Sequence, residues 1–430
     1  MKHLLFIAFL CITTNVCAYD FSVKNSDGVE LYYNYINDGK ELEVTYKVST
    51  SASGYLHDII NVPEEVTYMN RTRKVSQVGS FAFNKSIAKQ ISLPKTIKAI
   101  RKYSFSDNHL QRLAIPDGVE TIDDYAFYYT SIEKIILGKG LKTVGTVGEK
   151  NYYSADTVVV RDMKAYCNII GDVFPNYGKR LLFSDENTMI TNLVLPEGIE
   201  KIGDFNGCQS IQSVTIPSSI TIVGGFDGCT NLVKVVLPNT ITTISPYAFF
   251  ETSLESINLP QSIKKIDFWA FRDCKLKNVA IPENVTEIEY CAFYGCPLAS
   301  LDISGSVKKI GEKAFYSETL LLVNSRINDP ENTPAGRKLA SGARIWFENA
   351  FSQNTLMNAT LNVPKGTIEK YKAAEGWKEF VFIEEGLPSG INVINKEKIK
   401  NCDIYNLNGR QVKTPGKGVY IINGRKVVVK

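Results

Sequence analysis

A period of 21 or 22 residues restricts this chain's fold more than any other feature of it. Pro94 and Pro116 stand 22 residues apart, and Pro196, Pro217, Pro238, Pro260 and Pro282 follow at steps of 21, 21, 22 and 22. Gly138 and Ser304 occupy the slots that come next after Pro116 and Pro282. Apolar positions keep the same step: Ile257, Leu259, Ile263, Ile266, Ala270 and Phe271 are answered by Val279, Ile281, Val285, Ile288, Ala292 and Phe293. The same offsets fit the copies that begin at Ile91, Leu113, Val235 and Leu301. A fixed period of this length marks a solenoid in which each copy is one supersecondary unit.

Within a copy, two apolar residues one apart, such as Ile257 and Leu259, make a short strand with one face inward. The proline then removes a backbone donor and ends the ladder. Ile263 and Ile266 form a second inward segment, and Ala270-Phe271 drives a ring inside at a turn. No single copy can bury all of these side chains, whereas stacked copies bury them against one another. The expected fold class is therefore a mainly β repeat solenoid, spanning residues 59–385. Rungs starting at Leu193 and Val214 are one residue shorter and carry "GDFNGC" and "GGFDGC". The pattern breaks at two irregular insertions, 139–192 and 318–357, the second read as a polar stretch that loops outward. A short helix is expected to close the array.

The ends read differently. Residues 1–18 have a basic start at Lys2, an apolar run from Leu4 to Ile12 and small residues before Ala18, the pattern of a signal peptide cleaved after Ala18. Neither Cys11 nor Cys17 has the flanking residues of a lipoprotein signal, and no later run is long and apolar enough to span a membrane. Residues 19–58 alternate in strand fashion around Asp38-Gly39 and read as an N-terminal capping β-hairpin. Residues 386–430, with Asn408-Gly409 and Asn423-Gly424 turns, read as a small all-β tail.

Chemistry is sparse in the rest of the chain. Its only histidines are His57 and His109, and it lacks G-x-S-x-G, a phosphate-cradling loop and H-E-x-x-H. No catalytic residue, metal ligand or cofactor is singled out, and the chain reads as a non-enzyme. A formal charge of +4, from 49 basic and 45 acidic residues, supplies no basic stripe for nucleic acid. Cys208 and Cys229, like Cys274 and Cys296, hold equivalent slots of neighbouring rungs. One strand spacing permits a disulfide in an exported protein, but parallel side-chain directions disfavour its dihedral, so a ladder of buried thiols is expected. Two such ligands fall short of a four-ligand zinc site.

Rings cluster beside the Ala-Phe pair. Tyr103, Tyr125, Tyr247 and Trp269 precede it, and Tyr128, Phe250, Tyr294 and Tyr316 follow it, with Arg272 among them. Stacking brings several onto one edge, where they could grip a protein or a sugar. The alternative is that they stack on each other and staple the turns.

The motif I-x-L-P-x-x-I-x-x-I-x-x-x-A-F-x-x-C, at 257–274 and in near form at 279–296, resembles the BspA-type leucine-rich repeat of secreted and surface proteins of Bacteroidetes and some protozoa. The likeness runs from about Val62 to Glu385 and includes "VVVRDMKAYCNII" and "ATLNVPKGTIEKYKAAEGWKEF". In the tail, "IYNLNGRQV" and "KGVYII" are similar to C-terminal secretion and sorting domains of the same bacteria, though the tail is shorter than those domains. The resemblance implies a cell-surface or secreted protein that adheres to a protein ligand, such as a host matrix or cell-surface protein. Two other readings stand beside it: a carbohydrate-binding solenoid for glycan capture, and a periplasmic scaffold.

Overall fold

The computed structural model describes residues 19–47, 55–146, 154–171, 180–341, 344–386, 392–394, 404–406, 412, 418–422 and 425–429. The expected leader with its cleavage site, Cys402 and both Asn-Gly turns of the tail lie outside the described residues. The chain divides into two compact units, 1–240 with 247–254, and 241–246 with 255–430. Each is a mainly β solenoid built from parallel ladders.

The first unit opens with an antiparallel hairpin. Phe21–Lys24 pairs with Glu30–Ile36, which pairs with Glu41–Thr45. The turn between the last two has Asn37, Asp38 and Gly39 at φ of 51°, 55° and 73°. Asn, Asp and Gly tolerate this left-handed region best, which is why the turn forms there. Leu31, Leu42 and Val44 of the hairpin are fully buried. Glu41–Thr45 then pairs in parallel with Arg71–Val78, and Ala99–Ile100, Thr121–Ile122, Thr143–Val144 and Ile170–Gly171 continue that ladder.

A second ladder in this unit stacks Ile59–Asn61, Gln90–Ser92, His109–Ala114, Ser131–Leu137, Ser154–Val160 and Leu181–Phe183. Asn192–Val194, Ser213–Thr215 and Lys234–Val236 form a further parallel sheet. The stretch 139–192 is thus less irregular than its sequence suggests, since it supplies strands to both ladders. What replaces the Ala-Phe turn is the helix Met163–Asn168, capped by the Asp162 carboxylate, which accepts from the Ala165 N–H at 2.9 Å. Its buried Tyr166 ring stands 5.4 Å from Phe205, where a phenylalanine would otherwise stack.

In the second unit one ladder comprises Thr243–Ile244, Lys265–Ile266, Glu287–Ile288 and Lys309–Ile310. The other stacks Asn278–Ala280, Ser300–Ile303, Leu322–Ser325, Thr360–Val363 and Phe382–Glu385. The expectation that 318–357 loops outward is therefore corrected. Leu322–Ser325 lies in register on Ser300–Ile303, Ala335 bridges to Ile310, and Phe351 stacks on Phe315 at 5.8 Å. Ala350-Phe351 is a full Ala-Phe turn, hidden from the period by the hairpin Gly336–Ser341 and Arg344–Asn349 inserted within its rung. Trp377, fully buried, donates its indole N–H to the Thr333 carbonyl at 2.8 Å near the end of the array. Asn392–Ile394, Ile404–Asn406, Gly418–Ile422 and Arg425–Val429 form a four-stranded sheet in the tail.

Each proline slot begins a tight turn. The Val119 N–H donates to the Pro116 carbonyl at 3.0 Å and the Val285 N–H to that of Pro282 at 3.1 Å, so the chain reverses with both groups satisfied. At the Ala-Phe turn the backbone becomes left-handed twice, four residues apart. Phe81 and Lys85, Tyr103 and Asp107, Trp269 and Asp273 all sit at φ between 55° and 59°. Through this turn every second N–H points at the next rung: those of Phe81, Phe83 and Lys85 donate to the carbonyls of Lys102, Ser104 and Ser106 at 3.2, 2.7 and 2.9 Å. A left-handed residue with a Cβ costs about 1–2 kcal/mol, and each rung-to-rung bond returns about 1 kcal/mol. The turn is maintained because several such bonds act together on a buried aromatic column.

Candidate binding surface

Inside the turns, phenylalanines form that column. Phe83, Phe105 and Phe127 stack at 5.4 and 5.2 Å, and Phe271, Phe293 and Phe315 at 5.0 and 5.5 Å. Outside them runs the row of rings that the repeats place beside Ala-Phe. Its nine expected members, Tyr103, Tyr125, Tyr128, Tyr247, Phe250, Trp269, Arg272, Tyr294 and Tyr316, are all half-buried. They fall into clusters and not into one continuous row.

In the first unit, Phe81, Tyr103 and Tyr125 stack face to face at 5.0 and 5.5 Å. The Lys102 ammonium lies 5.3 and 5.2 Å from the centroids of Tyr103 and Tyr125, and Tyr128 meets both rings edge-on. Tyr129, more exposed, packs perpendicular to Tyr128 at 4.4 Å. Phe81, Lys102 and Tyr129 were not singled out from sequence, although Phe81 stands before Ala82-Phe83 in the slot that Tyr103 holds one rung on. Tyr247 and Phe250 form an edge-to-face pair at 5.9 Å. Between that pair and Tyr125 the two short rungs carry Gly203-Asp204 and Gly224-Gly225 where a ring would stand, and the row is broken there.

In the second unit the Arg272 guanidinium is held between the rings of Trp269, at 4.5 Å, and Tyr294, at 5.1 Å. Asp273 pairs with it at 3.1 Å. Tyr294 stacks on Tyr316 at 5.0 Å, and Trp269 contacts Tyr290 at 6.2 Å. The hydrogen bond with the Cys291 thiol, followed by burial, pushes the Tyr290 phenol up to about 12. Phe268 and Tyr290 remain over a third exposed beside this cluster. Each cation–π contact is worth about 0.5–1 kcal/mol at such a site, enough to hold the guanidinium in place before any ligand arrives. The rings do staple adjacent turns, and their outer edges face solvent.

The remaining chemical groups are structural in their contacts. Cys167, Cys208, Cys229, Cys274, Cys291 and Cys296 are all buried and in no disulfide, the equivalent slots holding Cys208 and Cys229 in the first unit and Cys274 and Cys296 in the second. Arg180, fully buried, donates to the Cys208 thiol at 3.1 Å and to the carbonyls of Asp204 and Asn206 at 2.7 and 2.9 Å, satisfying the turns of the short rung. His109 shares a hydrogen bond of 2.6 Å with Ser131 on the exposed face, while exposed His57 has a hydrogen bond to its neighbour's carbonyl. Among the described residues there is no group of three or more His, Cys, Asp or Glu that could hold a metal ion, and no helix long and apolar enough to cross a membrane.

The fold is thus a β solenoid of short repeats carrying aromatic and basic clusters on its turns. The BspA type leucine rich repeat region, in six copies, matches residues 63–155, 182–251 and 242–328, more than half of the chain, and the protein belongs to that family. No curated protein matches it. Among solved structures, a leucine-rich repeat protein from Bacteroides ovatus ATCC 8483 is 18% identical with a TM-score of 0.44, covering 86% of this chain and 100% of its own. The pneumococcal vaccine antigen PcpA is 16% identical with a TM-score of 0.46, covering 86% and 99%. A leucine rich cell surface protein from Faecalibacterium prausnitzii A2-165 is 18% identical with a TM-score of 0.34, covering 86% and 96%.

Proposed function

We propose that this is an exported, non-enzymatic leucine-rich repeat protein that binds a protein ligand at the cell surface, as an adhesin for host matrix or cell-surface proteins. The observation that carries the reading is Arg272 held between Trp269 and Tyr294, with Phe268 and Tyr290 exposed alongside. Aromatic rings and arginine are the residues that dominate protein interfaces, because they offer large contact area at little further entropic cost. The Lys102, Tyr103, Tyr125 and Tyr128 cluster of the first unit is a second contact point of the same chemistry. Membership of a repeat family suited to binding, and the sparse catalytic chemistry of the chain, support the non-enzymatic part.

The test is surface plasmon resonance of the mature chain on immobilised fibronectin, fibrinogen, laminin and collagen. Binding to at least one is expected, weakened about tenfold or more by Trp269→Ala or Arg272→Ala, as for an interface hot spot. No binding, or binding indifferent to both substitutions, overturns the reading. Surface location rests on the leader 1–18 and the sorting-like tail 386–430. Protease shaving of intact cells is expected to digest the full chain and to spare one ending at Glu385; protection of both places the protein in the periplasm as a scaffold.

A further inference from the structure

On the second unit a recess of about 310 Å³, lined by none of the ring-cluster residues, opens beyond the ends of the strands Asn278–Ala280, Ser300–Ile303 and Leu322–Ser325. Its cause is a small residue in a polar column. Asn258, Ala280, Asp302 and Asn324 follow one another at the repeat step, and Ala280 is in register with Asp302, as Asp302 is with Asn324. Ala280 presents only a methyl where its neighbours present an amide or a carboxylate, so the column is hollow at that rung. The volume lies at the lower end of the range of small-ligand sites.

The walls carry polar groups that the fold itself leaves unused. The Asn324 amide donates to one Asp302 oxygen, and Asn362 in turn donates to Asn324 at 2.8 Å, which fixes the carboxylate in the lining of the recess. Among the described residues the side chains of Asn258, Glu283 and Arg326, all exposed and all lining the recess, have no hydrogen bond or ion pair. Ile281 and Pro282, both buried, also line it and supply its aliphatic contacts.

This set of groups discriminates between ligand classes. Two carboxylates repel an acidic peptide, and the guanidinium offsets one of the two carboxylates that a basic one would use. A neutral polyol suits both, since every hydroxyl can donate to Asp302 or Glu283 and accept from Arg326 or Asn258. Adjacent rungs are about 4.8 Å apart, comparable with the length of one pyranose unit, and Ile281 and Pro282 offer aliphatic contact to the C–H face of such a ring. We propose that this recess is a binding site for a neutral saccharide, independent of the protein-binding clusters.

Isothermal titration of the mature chain with maltoheptaose, cellohexaose and mannohexaose tests it. Saturable binding of at least one is expected, weakened about tenfold or more by Arg326→Ala, the effect of losing a charge-assisted hydrogen bond. Ala280→Gln, which projects four further heavy atoms into the recess and removes no polar group, should abolish binding while leaving the melting temperature and the matrix-protein binding unchanged. Absence of binding to all three saccharides overturns the proposal, as does binding that survives Ala280→Gln. It is equally overturned if Ala280→Gln removes binding of an acidic or basic decapeptide instead, or removes the matrix-protein binding, because the recess would then belong to a protein interface. Failure of the matrix-protein binding alone leaves the saccharide result standing.

Discussion

At the scale of single residues, the slot three positions after the buried phenylalanine explains the cysteines. Asn108 and Thr130 reach back one rung to the carbonyls of Phe83 and Phe105 at 2.8 and 2.5 Å, and Cys229 and Cys296 do the same to Phe205 and Phe271 at 3.1 and 3.0 Å. The thiol is there as a small buried donor, not as half of a bridge. A thiol donates weakly, so threonine at this slot should do at least as well. Cys229→Thr is expected to keep stability within about 0.5 kcal/mol, whereas Cys229→Val, of the same shape without a donor, should cost about 1 kcal/mol more. Urea unfolding of the two variants checks this, and equal stability of Thr and Val would remove the hydrogen bond from the explanation. The equivalence of the cysteine slots was legible in the sequence because the repeat aligns them. The left-handed backbone at Tyr103, Tyr125 and Trp269 was not. No local residue preference announces φ near 57° at a ring-bearing residue, and the need for it arises only when a neighbouring rung offers its carbonyls.

At the scale of the element, a rung is stable only through the rungs on either side. Phe293, fully buried, is stacked between Phe271 and Phe315 with interplanar angles of 9° and 13°. Phe293→Ala should therefore cost about 3–5 kcal/mol, and Phe293→Leu less because it refills part of the cavity. Hydrogen exchange should localise the loosening to rungs between residues 265 and 325, and a cost below 1 kcal/mol would show that the column does not carry the stacking. Period reading recovered rungs wherever the step stayed at 21 or 22. It missed Ala350-Phe351 because a hairpin of two six-residue strands lies inside that rung, and it missed the rung carrying Tyr166 because a capped helix replaces the turn. Both elements keep their ladder register in space while losing it in sequence. The ring clusters were legible for the same reason as the rungs. The recess at Ala280 was not, since a hollow in a polar column is visible only once the register of the side chains on either side is known.

At the scale of the whole molecule, the burial of so many weak acids sets how stability responds to pH. Burial pushes the thiols of Cys229 and Cys296 well above the ordinary value and also raises Cys167, Cys208 and Cys291. It raises the phenols of Tyr33, Tyr55, Tyr166 and Tyr371 as well, and Tyr32, by burial and then by Glu30 beside it, to about 12. These groups are neutral in both states at lower pH, so their burial is fully tolerated there. Above about pH 8.5 the unfolded chain releases thiol protons that the folded chain retains, and above about pH 10 it releases phenol protons too. The unfolded state then binds fewer protons, so stability falls as pH rises, each fully ionised thiol steepening the fall by up to about 1.4 kcal/mol per pH unit. Denaturant midpoints measured under reducing conditions should accordingly hold level from about pH 6 to 8 and drop from about pH 9 upward. Replacing Cys229 and Cys296 by threonine together should make the drop shallower without shifting the plateau. A midpoint that holds level through pH 10 in the unsubstituted chain would mean that the thiols ionise in place, and the buried ladder would then have to be opened to solvent more easily than its packing implies.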